Sequence, residues 1–482
     1  MKGQERTLLF LIADTGAGHR SAANAIRNAI TLIAQHEQEA WLACQQNNAE
    51  KAATPDASAP FDAPATPHPP TYRVEIVDAF EEYSRFPLRE AMKLYGPTIR
   101  YNPRLYGQVF HLSNQAQSIS VGRLMATPLI HKGLLRLINS VQPDVIVSIH
   151  PLLNHVTLRV LQDLDFHIPF ITVVTDLVSL HYSWFAPGAD AYIVPTERAK
   201  ELYLERGLDQ KRVHMLGMPI DPKFTLPIES KQELQRKLGL EPGLPVVLLV
   251  GGGDGAGGIR SAVQAISQAR LPVQLLIVTG RNKRLYMHLQ RVRASLRVPA
   301  KIFGFVHNMP EIMHASDVII TKAGPGTICE ALACDLPVIL SAFVPGQEEG
   351  NVTFITENNA GALAYDSLEM INMLRRLVKP GSQVLQEQLK NARRVARPYA
   401  SFDIGKCILS FLPPDDAPSV WQSASQGHIQ HRTRIRRLQP AMPARILRPR
   451  LSRLRSKVPM GTIKRRLVRL RLLRRSIRGR RE

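Results

Sequence analysis

Only four cysteines, Cys44, Cys329, Cys334 and Cys407, are scattered through 482 residues. At that spacing they argue against a disulfide framework and fit a reducing compartment. No uninterrupted apolar run approaches the roughly eighteen residues of a membrane-spanning helix. Near the start, Lys2 and Arg6 precede a short apolar run, but Asp14 and the glycines after it end that run too early for a signal peptide. Zinc ligation is disfavoured, because Cys329 and Cys334 have neither a second pair nor spaced histidines and read as helix-core thiols. The absence of G-x-S-x-G disfavours an α/β-hydrolase. Asp163-Leu164-Asp165 has the D-x-D form of a metal clasp, yet it sits between a helix-like stretch and a strand and reads as a solvated helix end. A cytoplasmic protein is the expectation.

An excess of one charge sign is also missing from most of the chain. The chain carries a formal net charge of +22. Twenty Lys and Arg lie between Ala417 and the end, with Glu482 the only acid there. Residues 1–416 keep 42 basic against 39 acidic side chains, so the body is close to neutral and the basicity belongs to the tail. With 44% hydrophobic residues, the body is long and apolar enough for two cores and is not a disordered chain.

Short apolar runs alternate with helix-like stretches. Strands are expected at 7–13, 72–80, 144–150, 169–176 and 189–195, with a helical region over 87–139. After a Pro-containing segment near Leu226, a second series runs through 245–250, 273–280, 301–305, 317–321 and 336–341. This α/β alternation predicts two doubly wound parallel sheets facing a cleft, with ligands beyond the carboxyl ends of the strands. The expected domains are 1–225 and 226–412, followed by a linker and basic tail at 413–482. Residues 45–70, rich in Ala, Pro and polar side chains, read as a disordered insertion.

Three glycine-rich turns join a strand to a helix. In the first, Gly16 and Gly18 let the backbone approach a ligand, and His19 stands at the helix start, where the helix-end dipole keeps an imidazole neutral and able to accept a proton. A tight turn with an incidental histidine is the bland alternative. The turn also roughly fits G-x-G-x-x-G with Ser21 in the third place and Asp78 ending the next strand, a weak dinucleotide pattern without its third glycine. The second turn, 251–258 with Gly253 at its centre, holds more glycine than a bend needs and suits close contact with a diphosphate or sugar. The third runs Lys322-Ala323-Gly324-Pro325-Gly326-Thr327. The N–H groups of Gly326 and Thr327 can hold phosphate at a helix N-terminus, and Glu330, one turn in, can accept both hydroxyls of a ribose. No G-K-[ST] follows, so it is not a P-loop. The next loop, VPGQEEGN, offers Gln347, Glu348 and Asn351 to sugar hydroxyls.

LIADTGAGHRSAANAI, VTDLVSLHYSWF, LLVGGGDGAGGI, GFVHNM and ITKAGPGTICEALACDLPVILSAFVPGQEEGNV together resemble the monogalactosyldiacylglycerol synthase-like glycosyltransferases of glycosyltransferase family 28. The resemblance runs from about residue 7 to about residue 410. It implies a GT-B architecture, a UDP-sugar donor in the second half, and inverting, metal-independent transfer to a lipid hydroxyl held by the first half. It makes His19 the general base. Phe305 and Val306 would hold the uracil, Gly324, Gly326 and Thr327 the diphosphate, Glu330 the ribose, and Gln347 with Glu348 the sugar. Asp176 and Trp184 fall on the acceptor side. Ala17 stands where the family commonly has glycine, which is tolerated unless φ is positive there.

The expected partners are therefore a UDP-hexose and diacylglycerol, with no metal or other cofactor and with galactose and glucose both open. A polyprenyl-linked acceptor or a UDP-sugar epimerase of the same fold are the alternatives. The tail interleaves Arg with Leu and Ile; as a helix over 463–477 it would carry a flawed apolar stripe, suiting an anionic membrane surface on the cytoplasmic side. Nucleic acid is disfavoured, since no aromatic follows Trp421 to stack on bases.

Overall fold

A computed structural model describes residues 4–14, 16–52, 68–94, 98, 102–251, 258–415 and 417–424. Its first sheet contains β1 (Glu5–Ile12), β2 (Thr71–Asp78), β3 (Val145–Ser148), β4 (Phe170–Val173), β5 (Ala191–Val194) and β6 (Val213–Met215). The second contains β7 (Val246–Val250), β8 (Gln274–Val278), β9 (Ala300–Phe303), β10 (Val318–Lys322), β11 (Val338–Ala342) and β12 (Gly361–Leu363). All pairings are parallel. Central strands such as VIVS and VVLLV are buried at every position, because helices cover both faces of each sheet.

The strand orders place the site. The first sheet runs β2-β1-β3-β4-β5-β6 and the second β12-β11-β10-β7-β8-β9. Each order reverses once, between β1 and β3 in the first sheet and between β7 and β10 in the second. Neighbouring loops part at such a point and leave a crevice at the carboxyl ends of the strands. The turns after β1 and β3 end in His19 and His150; those after β7 and β10 are the two remaining glycine-rich turns.

Three features depart from the sequence expectations. The helix that begins at Ala17 continues to Ala52, through residues 45–52 of the expected disordered insertion. QQNNAEKA consists mainly of good helix formers, and the first proline comes only at Pro55; residues 53–67 lie outside the described residues. Helix Ala400–Leu409, grouped by sequence order with the second half, crosses back and buries Ile404 and Ile408 against Ile26, Ile30 and one face of the first sheet. The start of the expected linker is anchored there as well. The buried Arg6 guanidinium donates to the carbonyls of Pro414 (2.5 Å) and Ala417 (2.8 Å), and Trp421 Nε1 donates to Pro143 O at 2.9 Å. Of the basic tail, residues 425–482 lie outside the described residues.

The two halves meet through specific contacts. Gly350 N donates to Ser179 Oγ at 2.9 Å. A Cβ on Gly350 would lie 2.5 Å from that hydroxyl oxygen, so only glycine permits this approach. Tyr106 OH donates to Gln347 Oε1 at 2.9 Å, which ties helix Pro103–Ser113 to the loop after β11.

Candidate active site

Beyond the carboxyl ends of β1, β3 and β4 lies a cavity of about 440 Å³. Its walls are largely apolar, with Phe80, Leu88, Met92, Val109 and Ile130 among them, while His19, Asp176 and Gln347 supply polar groups. His19 occupies the first turn of the long helix, which begins at Ala17. Thr175 Oγ1 lies 3.2 Å from His19 Nδ1, and the ring also hydrogen-bonds to the backbone of Ile149. His150 stands edge-on with ring centroids 4.6 Å apart. Loss of hydration pushes the His19 pKa down to about 4, against the smaller opposing pulls of the Ile149 backbone and Asp14. The imidazole is therefore neutral at pH 7, the state a base requires. Desolvation, foremost, makes it so. His150 is lowered by burial too.

Asp176 lines the cavity, while Trp184 does not. The indole is fully buried and donates Nε1–H to Asp176 Oδ2 at 2.7 Å. Trp184, expected on the acceptor side, thus acts from behind, by fixing the carboxylate that faces the cavity. Burial pushes Asp176 up to about 6, despite the hydrogen bonds from Trp184 and Gln347. Asp78 is occupied elsewhere: Oδ1 accepts from the Phe80 and Glu81 amides and Oδ2 from Asp14 N. With both oxygens engaged by backbone, it is not placed for the ribose of a dinucleotide. Asp163 pairs with His131 at 2.9 Å, at the opposite end of the sheet. Cys329 and Cys334 pack in the second core, where burial raises both thiols to about 12.

The second sheet presents polar backbone and carboxylates. Gly324 caps helix Pro325–Ala333, and the proline at its first position presets the helical φ. Cβ atoms built on Gly16, Gly18 or Gly326 would meet no protein atom within 4 Å, so packing does not demand glycine at these positions. Glu330, one turn in, is raised to about 7 by loss of hydration and then by neighbouring Asp221. Phe305 is 54% exposed just past β9, with the Arg281 guanidinium 5.4 Å from its ring centroid, and Val306 packs beside it on the core. Gly253 lies outside the described residues.

In the loop after β11, Gln347 turns into the cavity, whereas Glu348 turns inward. The Glu348 carboxylate is buried, ion-paired with Lys322 Nζ, and accepts from Val344 N at 2.9 Å. Asn351 is 2% exposed; its Nδ2 donates to Ala323 O at 2.8 Å, and its Oδ1 has no partner among the described residues. An unpaired buried acceptor is costly unless a ligand meets it. Sequence reasoning missed Tyr106, Thr175 and His150. Of these, His150 had a signal, since it follows a buried strand directly and precedes Pro151 at a helix start.

Two parallel sheets, with a neutral histidine over an apolar cavity at one reversal of strand order and a glycine-capped helix at the other, define a glycosyltransferase of GT-B architecture. MurG from Acinetobacter baumannii superposes with a TM-score of 0.51 at 13% identity, covering 84% of this chain and 99% of that one. The UDP-GlcNAc 2-epimerase from Neisseria meningitidis, solved bound to UDP-GlcNAc, gives 0.50 at 13% identity over 84% of this chain and all of its own. At such identities the likeness shows the fold alone. Sequence carries the assignment further. Residues 68–220 match the family described as monogalactosyldiacylglycerol (MGDG) synthase, and residues 246–400 match the glycosyltransferase family 28 C-terminal domain. Monogalactosyldiacylglycerol synthase 2, chloroplastic, from Arabidopsis thaliana is 32% identical over 84% of this chain and 81% of its own length. A probable monogalactosyldiacylglycerol synthase 2, chloroplastic, from Oryza sativa subsp. japonica is 35% identical over 84% and 80%. The chain belongs to the monogalactosyldiacylglycerol synthase family.

Proposed function

We propose that this glycosyltransferase moves a hexose, galactose or glucose, from a UDP-sugar to the free hydroxyl of diacylglycerol, with inversion and without a metal ion. The observation that carries the reading is the cavity, its exposed wall mostly apolar, with neutral His19 on its lining. A diacylglycerol hydroxyl is uncharged and must lose a proton to attack, and its acyl chains need apolar walls. The cavity has room for the glycerol end and the first part of the chains. The names of the relatives, monogalactosyldiacylglycerol synthases, support galactose as the sugar and diacylglycerol as the acceptor.

In this reading His19 takes the hydroxyl proton as the oxygen attacks the anomeric carbon, and Thr175 orients the ring. The C1–O bond to the diphosphate breaks from the opposite face, so a single displacement inverts the centre. The N–H groups of Gly326 and Thr327, with the positive end of their helix, receive the charge that develops on UDP. Gly324 and Gly253 let the backbone come close to the diphosphate. Glu330 takes the ribose hydroxyls, Phe305 and Val306 take the uracil, and Gln347 and Asn351 read the sugar. Asp176, steadied by Trp184, accepts a hydrogen bond from the acceptor or sugar.

A lipid acceptor implies contact with a bilayer. Among the described residues no helix is long and apolar enough to cross one. The helices that wall the cavity nevertheless expose Leu112, Leu124 and Met125, the last two at 79% and 70%. Such a face suits insertion to the depth of an interface. The basic tail adds attraction to anionic headgroups, on the order of 1 kcal/mol for each basic residue at the surface and less than additive. Loss of anionic-liposome binding on truncation at Ala417 checks the contribution of the tail.

The test is transfer from radiolabelled UDP-galactose and UDP-glucose, in parallel, to diacylglycerol in anionic mixed micelles containing EDTA. A labelled glycolipid is expected. Absence of product from both donors, with UDP binding intact, would contradict the acceptor assignment; activity only after metal addition would contradict metal independence.

A further inference from the structure

Lys322 takes no part in the reaction as described above, yet it stands beside the turn where the diphosphate is placed. It is the last residue of β10, at the reversal of strand order, two positions before the residue that caps helix Pro325–Ala333. A Cβ built on Gly324 would lie 3.1 Å from Lys322 Nζ, so the ammonium rests directly against the cap. Its partner, Glu348, is only 7% exposed along its side chain, and the lysine itself 25%. The carboxylate is fixed in turn by Val344 N at 2.9 Å. One ammonium carries three donors. Glu348 uses one, and Nζ has no further hydrogen-bond partner among the described residues. Close by, Asn351 presents its buried, unpaired Oδ1.

We propose that Lys322 is a catalytic residue that donates to the diphosphate of the donor, and that Glu348 is the positioning residue that aims its ammonium at the helix cap. This rests on the UDP-sugar reading above and names a cation for it. As the acceptor oxygen forms its bond to the anomeric carbon, the bond from that carbon to the β-phosphate oxygen breaks and its electron pair stays on the oxygen. The hydroxyl proton goes to His19. Lys322 meets the new charge on the phosphate, where helix N–H groups alone supply only partial charges. The pair also gives buried Glu348 a role: a carboxylate with both oxygens engaged holds one lysine rotamer.

The test compares UDP with uridine, which lacks the phosphates, on the wild type, Lys322→Gln, and the double variant Lys322→Gln/Glu348→Gln. The double variant replaces the ion pair by two amides and so avoids leaving a lone buried carboxylate. UDP affinity is measured by calorimetry and uridine binding by saturation-transfer NMR. UDP affinity is expected to fall roughly 10–100-fold in both variants, the range for losing a charged hydrogen bond, with uridine binding unchanged and kcat lowered at least as much. Glu348→Gln alone, which still accepts a hydrogen bond from Lys322, is expected to weaken UDP binding less than Lys322→Gln, again with uridine binding unchanged. Unchanged UDP affinity in the double variant would overturn the assignment, and so would equal losses for UDP and uridine, which would make Lys322 a structural support. Failure of the wild type to bind either compound would overturn the donor reading itself and this proposal with it.

Discussion

The two sheets share a construction and differ in what they place at the reversal of strand order. In the first, the helices that follow β1 and β3 carry His19 and His150 at their starts, two neutral imidazoles beside a largely apolar cavity. In the second, the turn after β10 offers a glycine cap, a helix N-terminus, Glu330 and Lys322. One end suits an uncharged hydroxyl on a greasy molecule; the other suits an anion on a sugar. Chemistry here is assigned by the residues at the strand ends and not by the fold, which is nearly repeated. The supports cross the division: Asp176 is held by Trp184 from within the first half and by Gln347 from the second, whereas Glu348, beside Gln347 in the same loop, turns to Lys322.

If the division holds, changes in the first half should affect chemistry and changes in the second should affect donor binding. The largest effect is expected from His19→Ala, which should lower kcat by about 10²–10⁴-fold, the usual worth of a general base. Steady-state kinetics with saturating donor measures it. Next comes Glu330→Ala, expected to raise the KM for the UDP-sugar roughly tenfold or more while leaving the acceptor KM unchanged, as for loss of a charged hydrogen bond. A rise confined to the acceptor would reverse the assignment of the halves.

A pH profile sharpens the choice within the first half. With His19 lowered to about 4 and Asp176 raised to about 6, the two candidate bases lose their proton-accepting form in different windows. The acid limb of kcat/KM is expected near pH 4. A limb near pH 6 that vanishes in Asp176→Asn would make Asp176 the base. The stability consequence has a defined sign. Asp176 binds its proton more tightly when folded, so folding stability falls as pH rises from the ordinary value of about 4 to about 6. Two pKa units correspond to at most about 3 kcal/mol. Asp176→Asn, whose amide oxygen still accepts from Trp184, should remove that fall in thermal melts taken across the window. The smallest effect is expected from Trp184→Phe: about 1–3 kcal/mol of stability, as Asp176 loses a buried donor, with kcat lowered by less than in His19→Ala.

Much of this was legible in the sequence because buried parallel strands read as unbroken apolar runs and the turns between them as glycine clusters. VIVS, FITV, VVLLV and VIITK are of that kind. Two edge strands, VHM at Val213–Met215 and GAL at Gly361–Leu363, escaped because three residues carry no periodicity. The continuation of the first helix to Ala52 escaped because an Ala- and Gln-rich stretch reads equally as coil. What sequence order hides altogether is contact across the chain. Helix Ala400–Leu409 returns to the first sheet, Trp184 lies behind Asp176, and Tyr106 meets Gln347 from 241 positions away. The site inherits that split. His19, the glycine cap and Glu330 are local to a strand–turn–helix and could be read, while the orientation of Glu348 toward Lys322 depends on how a loop closes over β10.

The most direct test of the division between the halves is a calorimetric titration of UDP into His19→Ala beside the wild type and Glu330→Ala. The account predicts equal UDP affinity for His19→Ala and wild type, with Glu330→Ala weaker. Loss of UDP affinity in His19→Ala would place His19 in the nucleotide site and contradict the assignment of the base to the first half.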